Sequence, residues 1–269
     1  MKTKWMLMMV IGIFTMGVLV QCTKSEKVVA SQTESATTVK TVSISDFDVV
    51  LNNEFSDESI DDIMLCVYNC LTALPAEELT ASEAEALAFV REEELMAHDV
   101  YQAMYALYPI PVFNNISNSE SIHAYAAKVL LDKYNLPDPA ENHVQGVFAN
   151  AAIQELYNNL VATGSESSNN AMVVGATIED FDIADLIGHM SADVDNQDIQ
   201  YAFEQLHKGS RNHMRAFNAH LNFRNIVYTP QFISQEIFDG IVNSGWEIGN
   251  GFCVCSCNSA QAIENNDTK

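Results

Sequence analysis

Apolar residues recur three or four positions apart along most of this chain, the repeat of a helix with one buried face. Between Ser56 and Leu74 the positions Ile60, Met64, Val67, Leu71 and Leu74 mark a first amphipathic helix. Four longer stretches follow. The first opens on Thr80-Ala81-Ser82-Glu83, which fits a capping box, and runs to Tyr108 before Pro109 and Pro111. The second runs from Asn115 to Tyr134, the third from Asn169 to Met190 and the fourth from Asn196 to Phe223. A shorter helix, Asn150 to Ala162, lies between the second and third, with Gly164 expected at its C′ position. That stretch is too long for a hairpin and predicts a four-helix bundle with one long crossover. Beyond Pro230 the pattern is less regular. Gly (11) and Pro (6) are scarce, which also argues for an all-α chain.

The ends follow other rules. Lys2 and Lys4 precede an apolar run of 16 residues, Trp5 to Val20, which suits a signal segment better than a membrane span. It ends in Leu19-Val20-Gln21-Cys22 and resembles a bacterial lipoprotein signal, with cleavage before Cys22 and lipid on its sulfur. An ordinary secretory signal and an uncleaved anchor are the alternatives, because Gln21 replaces the usual small residue. The domain reading is therefore 1–21 signal, 22–45 flexible tether, 46–76 helical extension, 77–235 bundle and 236–269 Cys-containing tail. Export permits disulfides. Cys66 and Cys70 share one helix face one turn apart, where a mutual bridge strains the helix. They are expected to pair with two of Cys253, Cys255 and Cys257, with a soft-metal thiolate site as the rival. The formal charge of -23 disfavours nucleic acid and anionic lipid headgroups. It either attracts metal cations or simply keeps the protein soluble.

Chemistry enters where polar residues fall on the apolar seams. The seams place Glu94 on the first long helix and Glu120 with His123 on the second. They place Glu179 with Asp182 on the third and His213 on the fourth. Glu92 and Glu93 fall off the line and are expected to be solvated or flanking. Unpartnered buried carboxylates cost several kcal/mol each, and no Lys or Arg shares this level of the seams. Divalent or trivalent cations are the natural remedy, and carboxylates with one imidazole per ion suit iron or manganese. A two-metal carboxylate bundle takes one Glu from each of two helices and Glu-x-x-His from each of the other two. Here the second helix complies, but position 210 on the fourth is Ser, not Glu. Asp182 is a candidate replacement. Glu204-x-x-His207 is an alternative register that the apolar pattern opposes. The competing reading is a hydrogen-bonded polar core without metal.

Four strings carry a family resemblance: Arg91 to Tyr101 (REEELMAHDVY), Phe113 to His123 (FNNISNSESIH), Gly175 to Leu186 (GATIEDFDIADL) and Gly209 to Phe217 (GSRNHMRAF). Over residues 80 to 235 the chain resembles an uncharacterised family of the ferritin-like superfamily, domain of unknown function 2202. The resemblance implies a ferritin-like four-helix bundle able to hold two irons. It also matches Glu94 and Tyr101 to the superfamily's Glu and Tyr seven residues apart, making Tyr101 a candidate radical or hydrogen-bond partner. No reaction comes with the resemblance, and Ser210 belongs to the family's own motif.

Two functions compete. One is a di-iron oxidase or peroxidase acting on dioxygen, peroxide or Fe(II), with two Fe (or Mn) ions held by Glu94, Glu120, Glu179, His123 and His213. The other is a non-catalytic metal-binding or structural lipoprotein. The expected partners are metal ions and the envelope membrane holding the anchor, with a homodimer as the candidate assembly and no nucleic acid. Without metal, several like charges are expected to be buried together.

Overall fold

The computed structural model describes residues 60–248 and Phe252. The signal, the tether, the lipidation residue Cys22 and the tail cysteines Cys253, Cys255 and Cys257 lie outside the described residues. Within them the chain is all helical: α1 Ile60–Ala73, α2 Ala81–Leu107, α3 Pro111–Lys133, α4 Ala151–Gly164, α5 Ser168–Ala192, α6 Gln197–Phe223 and α7 Gln235–Val242. No helix among them is long and apolar enough to cross a membrane.

The helix starts follow from side-chain caps. Thr80 and Glu83 form the expected capping box of α2. Glu83 also accepts the amides of Asp195 (3.1 Å) and Asn196 (2.9 Å), so one carboxylate fixes the starts of α2 and α6. Asn150, Ser167 and Ser234 cap α4, α5 and α7. Pro111 does more than end α2. It stands in the first turn of α3, where a missing N–H costs nothing, so α3 begins earlier than its apolar period suggests. Gly164 is the last residue of α4, not its C′ residue. A Cβ there would lie 2.4 Å from Met104 Sδ, so the glycine leaves room for the Met104 side chain in its present position. The irregular stretch beyond Pro230 contains α7, too short to show a convincing period.

The four long helices form a bundle. α2 packs on α3 and α5 on α6, each pair joined by a short loop, and the pairs meet through α3 on α6 and α2 on α5. Residues 134–167 make the crossover, and α4 within it packs on α2 and α5. α1 lies on α3, where Lys133 Nζ donates to the carbonyls of Leu71 and Leu74, both at 2.9 Å, and pairs with Asp198. Cys70 on α1 is disulfide-bonded, and not to Cys66.

The core is not continuous. One apolar cluster is built around Met96, Tyr101, Phe113, Ile116 and Phe217. A second is built around Leu87, Val90, Leu130, Ile199 and Leu206. On α2, α3 and α6 the break between them falls at polar positions the seams single out, and on α5 it falls just beyond Glu179 and Asp182, between Ile183 and Leu186.

Candidate metal centre

The break is a layer of buried side chains, one or two from each long helix. Glu94 comes from α2, Glu120 and His123 from α3, Glu179 from α5 and His213 from α6, all buried. They form a line. His123 Nδ1 lies 3.3 Å from Glu94 Oε2 and 2.7 Å from Glu120 Oε2. His213 Nδ1 lies 3.0 Å from Glu120 Oε1 and 3.3 Å from Glu179 Oε2. Glu120 is thus shared between the two imidazoles, with Glu94 and Glu179 at the ends. Donor atoms of Glu94, Glu120 and His123 lie within 4.8 Å of one another, and so do those of Glu120, Glu179 and His213.

Several of these close approaches are not hydrogen bonds. Glu94 Oε1, Glu120 Oε2 and His213 Nδ1 are buried without a hydrogen-bond partner. Their lone pairs and N–H directions miss one another at contact distance, as expected of groups arranged round a common centre rather than bonded pairwise. The other nitrogen of His213, Nε2, lies 3.1 Å from Ser119 Oγ. An N–H donated there leaves Nδ1 as the ligand nitrogen, the usual supporting arrangement of a metal-bound imidazole. Gly209 makes room for the other ring, since a Cβ would lie 2.5 Å from His123 Nε2. On these grounds the donor set fits two hard or borderline cations.

Electrostatics change one expectation. The layer is not a set of uncompensated like charges. Burial alone disfavours every ion here, but Glu94 and Glu120 outweigh it at His123 and lift its pKa to about 10. Glu120 and Glu179 likewise raise His213 well above the ordinary range. Against burial, His213 and His123 hold Glu120 below the usual carboxylate range. Burial dominates at Glu94, raised to about 7, and raises Glu179. Imidazoles and carboxylates therefore favour one another's charged forms, and an imidazole that carries two protons must lose one before it can bind a cation.

The remaining candidates divide. Tyr101 is buried, and its hydroxyl donates to Glu179 Oε1, with Gly175 O at 3.3 Å. It thus serves the α5 carboxylate although its sequence partner is Glu94. Asp182 belongs to neither converging group. It takes the Ser210 hydroxyl on Oδ2 instead. Glu204 is exposed and His207 contacts Arg211 at 2.7 Å, so the alternative register of α6 faces away. Glu93, expected to be solvated or flanking, is 2% exposed, and Glu92 is buried beneath the crossover. Asp185 and Ser119 were not legible as part of this region. α5 is covered on several sides and α3 presents Ser119 obliquely, so a single seam per helix undercounts the buried face.

This is a helical bundle whose middle layer carries carboxylates and histidines. The chain belongs to the family described as "Uncharacterized protein domain (DUF2202)", whose model matches residues 83–245. It is 47% identical over 179 residues to uncharacterized protein MJ0754 of Methanocaldococcus jannaschii, covering 66% of this chain and 96% of that one. The crystal structure of hypothetical protein MJ0754 matches with a TM-score of 0.63 at 48% identity, over 65% of this chain and 99% of that chain. The matched region runs past residue 235 and includes α7, which packs on α6.

Proposed function

We propose that the chain is a ferritin-like two-metal protein acting as an oxidase or peroxidase on dioxygen, peroxide or Fe(II). The observation that carries this reading is the position of Glu120 between His123 and His213, flanked by Glu94 and Glu179, with atoms of three of these side chains lacking hydrogen-bond partners. Glu94 and His123 would hold one ion, Glu179 and His213 the other, and Glu120 both. Bound iron or manganese would supply the electrons, one per ion, for two-electron reduction of peroxide to water with two protons. The protein's part is positioning and exclusion of bulk water. Ser119 orients His213, Tyr101 orients Glu179, and the apolar clusters above and below seal the layer.

The test is anaerobic thermal unfolding of the full chain with and without Fe(II), together with bound-metal analysis. Two ions per chain and a raised melting temperature are expected. At free metal 100 times Kd each site contributes about 2.7 kcal/mol. Equal melting temperatures at saturating metal overturn the site. A second reading, a non-catalytic metal-binding lipoprotein, is favoured by the mutual balance of the imidazoles and Glu120 and by Ser210 in place of a second shared carboxylate. Bound iron that consumes neither peroxide nor dioxygen selects it. In both readings the chain is exported and lipid-anchored through Cys22, a proposal supported by its N-terminal pattern. Mass spectrometry of the mature N-terminus checks this, and an unmodified Cys22 refutes it.

A further inference from the structure

Beside the central layer, Glu93 presents a problem of its own. It is 2% exposed, and neither carboxylate oxygen has a hydrogen-bond partner. The charges that act on it most are those of Asp185, Asp182 and Glu94, all carboxylates. Carboxylate oxygens accept hydrogen bonds, and no donor among the described residues reaches either oxygen of Glu93. Arg91 pairs with Asp138, Lys133 with Asp198, and Arg211 and Arg215 with Glu247, so these cations are engaged elsewhere.

From Glu93 the polar groups continue in both directions. Outward, Asp185 Oδ2 lies 2.9 Å from His189 Nε2, and His189 Nδ1 lies 3.5 Å from Asp193 Oδ2. Side-chain exposure rises along these three from 5% to 10% to 37%, so the series reaches solvent. Inward, Asp182 Oδ1 has no partner, and its charge acts with those of Glu94, Glu179 and Glu120. The rings of Phe89 and Phe203 flank His189, which keeps the series narrow.

We propose that Asp193, His189, Asp185, Glu93 and Asp182 form an entry path that carries divalent cations from solvent to the central carboxylates. The proposal rests on the two-metal reading above. The series suits passage more than residence. Among the described residues, the groups with converging donor atoms both lie in the central layer, not along this series. Single carboxylate steps attract a cation yet release it inward, the condition for conduction through successive weak sites.

The test uses Co(II) alone, added anaerobically to the full chain, with ligand-field absorbance followed by stopped flow and bound metal counted at the end. Asp185→Asn and His189→Gln should load about tenfold more slowly or worse, with the final spectrum and two ions per chain unchanged. Glu204→Gln, which removes an exposed charge from α6, should load at the wild-type rate. His189→Gln carries the test if Asp185→Asn does not fold. Wild-type loading rates in the path variants overturn the path while leaving the pair intact. So does a wild-type count of three ions that falls to two in the path variants at an unchanged rate, which would mark a resident third site. A wild-type chain that takes up no Co(II) overturns the two-metal reading, and the path with it.

Discussion

Buried carboxylates occupy two regions of this molecule, and they are treated in opposite ways. Where loops dock on the bundle, each acid is met by donors. Asp180 accepts the amides of Gln231, Phe232 (3.2 Å) and Ile233 (2.9 Å) and the hydroxyl of Tyr228 (2.9 Å). Glu92 accepts the amides of Ala149 and Asn150, and Glu83 those of Asp195 and Asn196. In the middle of the bundle, Glu93, Glu94, Glu120, Glu179 and Asp182 face one another and two imidazoles, and backbone amides are unavailable because helices consume their own. The first region is complete as protein. The second becomes complete only with protons or cations added. Burial alone therefore does not mark a functional acid; what marks it is which donors are missing.

The largest effects should separate the regions directly. Asp180→Ala strands three amides and a hydroxyl, and is expected to cost about 4 kcal/mol with or without metal. Glu120→Ala leaves both imidazoles without their shared partner and is expected to cost about 3 kcal/mol in metal-free protein. Its signature is loss of the stabilisation that Fe(II) gives wild type. Anaerobic melting of both variants, each with and without Fe(II), reads the comparison. A Glu120→Ala chain that still gains stability from metal, or an Asp180→Ala chain that loses that gain, breaks it.

A smaller effect is expected at Gly209. Alanine there is favoured by about 1 kcal/mol in a helix interior, but its Cβ meets the ring of His123. Overpacking costs roughly 1 to 3 kcal/mol, so stability should change little, while displacement of the ligand ring weakens metal binding about 10- to 100-fold. Metal titration alongside denaturant unfolding of Gly209→Ala checks this, and unchanged metal affinity refutes it.

The smallest effect belongs to the surface. Hydrogen bonds from Arg211, outweighing partial burial and joined by Arg215, hold the Glu247 carboxyl at about 2. A depressed carboxyl contributes stability above its ordinary value of 4.5 that is lost as pH falls from there toward 2. Glu247 is partly exposed, so solvent screening limits the effect to about 1 kcal/mol. Glu247→Gln should flatten the stability profile in that window only. An unchanged acid profile shows that the pair contributes nothing measurable.

Much of this was legible from order and spacing. The capping box at Thr80 and Glu83, the long crossover, and Glu94, Glu120, His123, Glu179 and His213 on the facing seams all follow from helical period. The start of α3 at Pro111 and the existence of α7 did not, because short or proline-led segments carry little period. Nor did the burial of Glu93 and Glu92, because α2 is covered on sides beyond its one seam, by α5 at Glu93 and by the crossover at Glu92.

By itself the sequence determined that the chain is helical, where its long helices run and which polar residues interrupt their apolar stripes, since these depend on local propensity and a repeat of 3.6 residues. Only the tertiary structure decided that Glu120 sits between two histidines, that Tyr101 serves Glu179, and that Asp182 bonds Ser210 instead of joining the ligand cluster. It also separated the carboxylates that receive backbone amides from those that do not. These are relations between helices, set by their relative rotation and height in the bundle, and a one-dimensional repeat carries no information about either.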